Sequence, residues 1–193
     1  MKESYDEFVA RTEGPRPDRS MAMTAIVFVA LFFAMQFSYE LCRGSRFEHW
    51  VISDLTVEPT ARVLQWLSPE VGVQALGNQL RAPGGGLVVK KGCEGVEIMF
   101  MLVAAFAAAS LSWRRKLLGL GVGLVLVFVL NQIRLVALFY AYRYDTELFG
   151  LLHGTVAPIV LVLLVGLYSL AWFKPSLDPM SRGNAGDDAR TLA

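Results

Sequence analysis

Three stretches of this chain carry apolar side chains over lengths that a soluble domain does not use: Ala22 to Leu41, Val96 to Leu111, and Leu117 to Phe173, the last broken by polar residues near Arg143 to Glu147. A helix needs about 20 mostly apolar residues to cross about 30 Å of hydrocarbon, so the longest stretch divides in two. The expected fold is an all-α membrane protein, a bundle of about four transmembrane helices. An extracytoplasmic segment, part amphipathic helix and part irregular, is expected between the first helix and the second. Composition agrees, because 54% of the 193 residues are hydrophobic and only 18% are charged, too apolar for an ordinary soluble domain. The first stretch reads as an uncleaved anchor: about 20 residues of mixed charge precede it, and no small-x-small processing pattern follows.

Charge orients the bundle. The short loop "SWRRKL" carries Arg114, Arg115 and Lys116 without an acid, which marks it as cytoplasmic, whereas "YRYDTEL" sets one arginine against Asp145 and Glu147. Counting outward predicts residues 1–21 as a cytoplasmic N-terminal segment, 22–173 as the membrane domain with residues 42–92 outside, and 174–193 as a disordered cytoplasmic tail. Within the outer segment, "SDLTVEPTARVLQWLS" predicts a short helix on the membrane surface, capped at Ser53 or Thr56, with Val57, Ala61, Leu64 and Leu67 on its apolar face. "VGVQALGNQL" and "GGLVVKKG" read as extended or irregular pieces around "APGGG". The net charge of +1 arises from segregated clusters with no basic, aromatic-laced patch, so no nucleic-acid partner is expected. The two cysteines, Cys42 and Cys93, stand in unlike surroundings, and no disulfide framework is implied.

Polar residues at one depth are the functional signal. Cys93 stands at the outer start of the second expected helix, with Glu97 one turn later on the same face; Asn131 and Arg134 lie three apart inside the third run; His153 follows the outer loop. Arg134 is roughly 25 Å up a helix that starts inside at Leu117, which brings it to the layer of Cys93 and His153. Each residue has a plainer reading: an inert packing thiol, a snorkelling arginine, an interfacial histidine, or a Glu97 and Asn131 that satisfy one another. Their coincidence on three helices points to acyl transfer. A thiolate at a helix N-terminus near Lys90 and Lys91 is an activated nucleophile, a guanidinium stabilises a developing oxyanion, and an imidazole moves the proton. Gly92 and Gly95 leave room for a substrate backbone, and Glu97 is assigned a supporting role, orienting Arg134 or His153. No cofactor is expected, and no metal, because paired ligand spacing is absent.

"GCEGVE", then "NQIR", then a histidine opening the next helix resembles the exosortase and archaeosortase family of membrane cysteine transpeptidases, and "CEGVE" with "RLVALFY" is most similar to its exosortase H branch. The resemblance runs from about Gly92 to Phe173. It implies a bacterial inner-membrane enzyme with its site facing the periplasm, in which Cys93 is the nucleophile, Arg134 the transition-state stabiliser and His153 the acid/base. The implied partners are membrane lipid and secreted proteins ending in a short motif, a hydrophobic helix and a basic cluster. Two other readings stay open: a membrane cysteine protease whose thioester is resolved by water, and a non-catalytic scaffold or assembly factor in which Arg134 and Glu97 pair across helices.

Overall fold

The computed structural model describes residues 21–90 and 92–173. The segments expected to be a cytoplasmic N-terminus and a disordered tail, residues 1–20 and 174–193, lie outside the described residues, as does Lys91. Among the described residues three helices are long and apolar enough to cross a membrane: α1 (Met21–Leu41), α5 (Trp113–Tyr144), and a continuous helix over Thr146–Phe173. That last helix comprises α6 (Thr146–Leu151), a π-helical stretch (Leu152–Val156) and α7 (Ala157–Phe173). The fourth expected span is shorter than its apolar run. α4 covers Val96–Ala108, 13 residues or about 20 Å, and the chain then extends to Ser112, the N-cap of α5. The Lys116 Nζ donates to Ala107 O at 3.1 Å, satisfying one of the carbonyls that the early helix end leaves open. We call the end of the bundle near Trp113 the basic end and the opposite one the site end.

Helix α5 is 32 residues long, about 48 Å, well beyond the hydrocarbon thickness. Its far third is therefore free to carry the segment between α1 and α4. That segment begins with α2 (Arg46–His49), capped by Ser45 Oγ, which accepts from Glu48 N–H at 3.3 Å. It continues through a π-helical stretch (Trp50–Val57) into α3 (Glu58–Leu67). The helix thus starts a full two turns before the caps expected at Ser53 or Thr56. Thr56 instead turns its hydroxyl back to Val51 O at 2.9 Å inside the π-helical stretch.

A short sheet follows. Strands β1 (Gln74–Leu76), β2 (Gln79–Ala82) and β3 (Gly85–Val88) form an antiparallel meander in that order, where the sequence suggested only extended or irregular pieces. The apolar face predicted at Val57, Ala61 and Leu64 is buried, on α3 and the residue before it, but it packs on Leu80 and Leu87 of the sheet and on Leu135, Leu138 and Phe139 of α5. Protein rather than lipid covers it. Leu67, expected on the same face, is about half exposed at 49%. Burying Leu64 and Leu80 completely contributes roughly 1.5–3 kcal/mol each, which explains why the helix folds back onto α5 instead of lying on the bilayer.

Near the basic end, α4, α5 and α7 meet around Leu102, Phe106, Val127 and Val165. Close approach depends on two glycines one turn apart on α5. A Cβ on Gly119 would fall 2.4 Å from Phe106 and Trp172 ring atoms, and one on Gly123 would fall 2.7 Å from Leu102 Cδ2. Small residues on one stripe let membrane helices pack closely. Gly121, on the other side of the helix, faces open space. Gly119→Ala is therefore expected to lose about 1–3 kcal/mol of stability through overpacking in a detergent unfolding titration, while Gly121→Ala stays within about 0.5 kcal/mol of wild type. Equal effects of the two changes would contradict this packing.

Candidate active site

The loop between β3 and α4 makes the site. Gly92 and Gly95 both take positive φ, +86° and +79°, a region glycine enters without steric cost. The turn closes with Cys93 N–H donating to Lys90 O at 3.0 Å. Between those glycines the loop's carbonyls have no helix or strand to bond. Helix α5 supplies the donors: Asn131 Nδ2 to Cys93 O at 3.2 Å and Arg134 Nη1 to Gly92 O at 3.3 Å. One amide and one guanidinium, three residues apart on one face, hold two consecutive peptide carbonyls.

The third residue arrives from the last helix. Asp145 caps α6 by accepting from Glu147 N–H and Leu148 N–H, each at 3.0 Å, so the helix begins two turns before His153 and not at it. His153 falls in the π-helical stretch, a local widening that recurs at functional sites, and its ring stacks on Phe149 at 5.4 Å between centroids. Its Nδ1 lies 3.9 Å from Cys93 Sγ, long for a hydrogen bond but within what a small rotation closes when substrate binds. The two groups share a cavity of about 210 Å³, with Leu135, Leu138 and Phe149 among its walls. Cys93 and His153 thus face one cavity, while Arg134 and Asn131 bond the loop that bears the cysteine.

Three expectations need correction. Cys93 is not in the first turn of α4, whose N-cap is Gly95. It is 6% exposed among Leu87, Val89, Leu135 and Leu138, so burial pushes its thiol above the ordinary range, against the downward pull of the Arg134 charge. Burial thus favours the thiol over a preformed thiolate, which calls for a proton acceptor. Glu97 does not share a face with Cys93: it is exposed on α4, and no hydrogen bond or ion pair joins it to Arg134 or His153 among the described residues. The scaffold reading in which Arg134 and Glu97 pair thus lacks its contact. At Gly95 the room expected for a substrate is taken by Asn131, whose Cγ would lie 2.9 Å from a Cβ there; at Gly92 the space is open.

Glu94 is the residue that sequence reasoning passed over. It is 4% exposed, accepts from Tyr39 Oη at 3.3 Å, and leaves Oε2 without a partner among the described residues. Burial pushes its carboxyl up, partly offset by backbone N–H groups and Tyr39. The bond to Tyr39 ties the end of α1 to the site loop. The available signal was an acid directly beside the cysteine, and it was outweighed by the helical spacing of Glu97.

These features define a helical membrane protein with a cysteine–histidine pair and an arginine at one end of its bundle. A family model described as transmembrane exosortase (Exosortase_EpsH) matches residues 16–171, and the chain belongs to the transmembrane exosortase family. No curated protein and no solved structure matches it.

The raised thiol has a measurable consequence. In a Cys42→Ser background, the rate at which a small methanethiosulfonate modifies Cys93 should rise about tenfold per pH unit and keep rising past pH 8.5, where an ordinary thiol levels off. Arg134→Gln removes a favourable charge and should slow the reaction at each pH below about 9. Levelling below pH 8 would contradict the site described.

Proposed function

We propose that this chain is a membrane-embedded cysteine peptidase or transpeptidase that cleaves C-terminal sorting signals of secreted proteins through a thioester, in the bacterial inner membrane with its site facing the periplasm. The observation that carries the reading is the 3.9 Å contact between Cys93 Sγ and His153 Nδ1, at the level where Arg134 meets the loop. Family membership supports the same class of activity.

The chemistry follows from the groups. His153, neutral with its proton on Nε2, takes the thiol proton at Nδ1 as sulfur attacks the scissile carbonyl carbon. The carbonyl electrons move to oxygen, and the oxyanion is met by donors of Arg134, whose Nε is buried without a partner among the described residues. Collapse breaks the C–N bond, His153 returns the proton to the leaving amine, and the acyl group stays on Cys93. A surface amine or water then attacks the thioester carbonyl as His153 takes its proton, the C–S bond breaks to release the product, and His153 returns the proton to the Cys93 sulfur. The substrate's apolar helix lies against the bundle, so its motif is delivered at the site by membrane insertion itself, a positioning gain worth several kcal/mol.

The test is co-expression with a protein bearing such a signal. Cys93→Ala should leave it uncut, His153→Ala should lose about 10²–10⁴-fold and Arg134→Ala about 10²–10³-fold, all with folded chain in the membrane. Cleavage by Cys93→Ala at the wild-type rate ends the thiol mechanism. Glu97→Gln, by contrast, should process at close to the wild-type rate, because Glu97 touches neither Arg134 nor His153; a loss of tenfold or more would restore the supporting role first assigned to it. The mass of the product separates the two fates of the thioester: a free carboxylate means water, a covalent lipid or glycan anchor means transfer.

A further inference from the structure

Strand β3 is an edge strand that runs into the site. In the sheet order β1-β2-β3 it has a partner on one side only. The two-residue turn at Pro83–Gly84 pairs Ala82 with Gly85 and Leu80 with Leu87, and Val89 N–H continues the ladder to Asn78 O at 2.8 Å. Hydrogen-bonded pairs alternate in an antiparallel ladder, so residues 85, 87 and 89 turn their backbone groups toward β2. The N–H and C=O of Gly86 and Val88 therefore point the other way, and no hydrogen bond to them is made among the described residues. Val88 also borders the cavity that holds Cys93 and His153, so the open edge and the reacting atoms share one space.

The direction of the strand is fixed by two arginines of α5. Arg143 Nη1 donates to Pro83 O at 3.0 Å and Arg134 Nη1 to Gly92 O at 3.3 Å. These arginines are nine residues apart, about 13 Å along the axis, so the chain from Pro83 to Gly92 descends α5 toward the basic end.

We infer that the open edge of β3 binds the backbone of the substrate segment just N-terminal to the scissile bond, taken up as an added parallel strand. This rests on the function proposed above, in which the substrate's folded part lies beyond the site end and its apolar helix lies along the bundle. Its chain then descends in the same sense as β3, which makes the added strand parallel. Gly86 and Val88 each offer one N–H and one C=O, two residues apart, matching the repeat of an extended peptide. Main-chain pairing supplies affinity without reading sequence, and the side chain turned into the cavity meets a wall that is apolar at Leu135, Leu138 and Phe149 and carries a cation at Lys90, which together disfavour a basic residue. The last paired residue delivers its carbonyl to Cys93.

Val88→Pro removes an N–H that takes no part in the ladder, so the sheet can retain its pairing to β2. It should cut processing of a signal-bearing substrate by about threefold to tenfold, the worth of one lost backbone hydrogen bond, while Cys93 modification by methanethiosulfonate stays at the wild-type rate. Should this variant fail to fold, the purified wild-type chain in detergent is assayed with synthetic signal peptides N-methylated at one residue at a time before the scissile bond. The expected pattern is alternating: loss at every second residue, tolerance at those between. Full processing by folded Val88→Pro, or equal tolerance of all N-methyl positions, overturns the edge-strand inference and leaves the enzyme reading standing. A wild-type chain that leaves the unmodified substrate uncut overturns the functional reading itself and this inference with it.

Discussion

Everything at the site end depends on two donors of α5 reaching two neighbouring carbonyls. Gly92–Gly95 is a loop without regular backbone bonding at the mouth of an apolar bundle, where an unsatisfied carbonyl is costly. Asn131 and Arg134 resolve that cost and, in doing so, fix where the sulfur lies. The arrangement is mutual. Gly95 must lack a side chain because Asn131 fills its place, and Asn131 can reach Cys93 O only because Gly95 lets it approach.

Helix lengths set the stage for that contact. α4 has 13 residues and α5 has 32, so the loop before α4 meets α5 well above its start, with a further stretch of α5 left over. The overhang is where α3 and the sheet dock through Leu135, Leu138 and Phe139. Thr60 and Gln132, both buried, join the same seam by a hydrogen bond. The segment between α1 and α4 is thus a platform on α5 rather than a surface appendage, and its β3 leads directly into the loop that bears Cys93.

Much of this was readable in the sequence because it follows from fixed helix geometry. The apolar runs gave the helices, the 1.5 Å rise gave the depth of Arg134, and the i, i+3 relation placed Asn131 beside it. The errors have a common cause: the boundary between loop and helix. Treating Cys93 as helical put Glu97 on its face and its thiol under the helix dipole, whereas the positive φ at Gly95 starts the helix at Val96 and buries the thiol and Glu94 together. Periodicity found the face of α3 at Val57, Ala61 and Leu64 but could not say what covers it, since a surface helix and a docked one share the pattern. The sheet escaped because its strands are three and four residues long, too short for alternation to stand out.

The account stands or falls on whether the sulfur becomes acylated. Intact-mass analysis of the purified chain, quenched during turnover of a signal-bearing substrate, should show the N-terminal product attached through Cys93 and released by neutral hydroxylamine, with a lower yield from Asn131→Leu because the loop loses its hold. Turnover without any hydroxylamine-sensitive adduct, or an adduct on a residue other than Cys93, would contradict it.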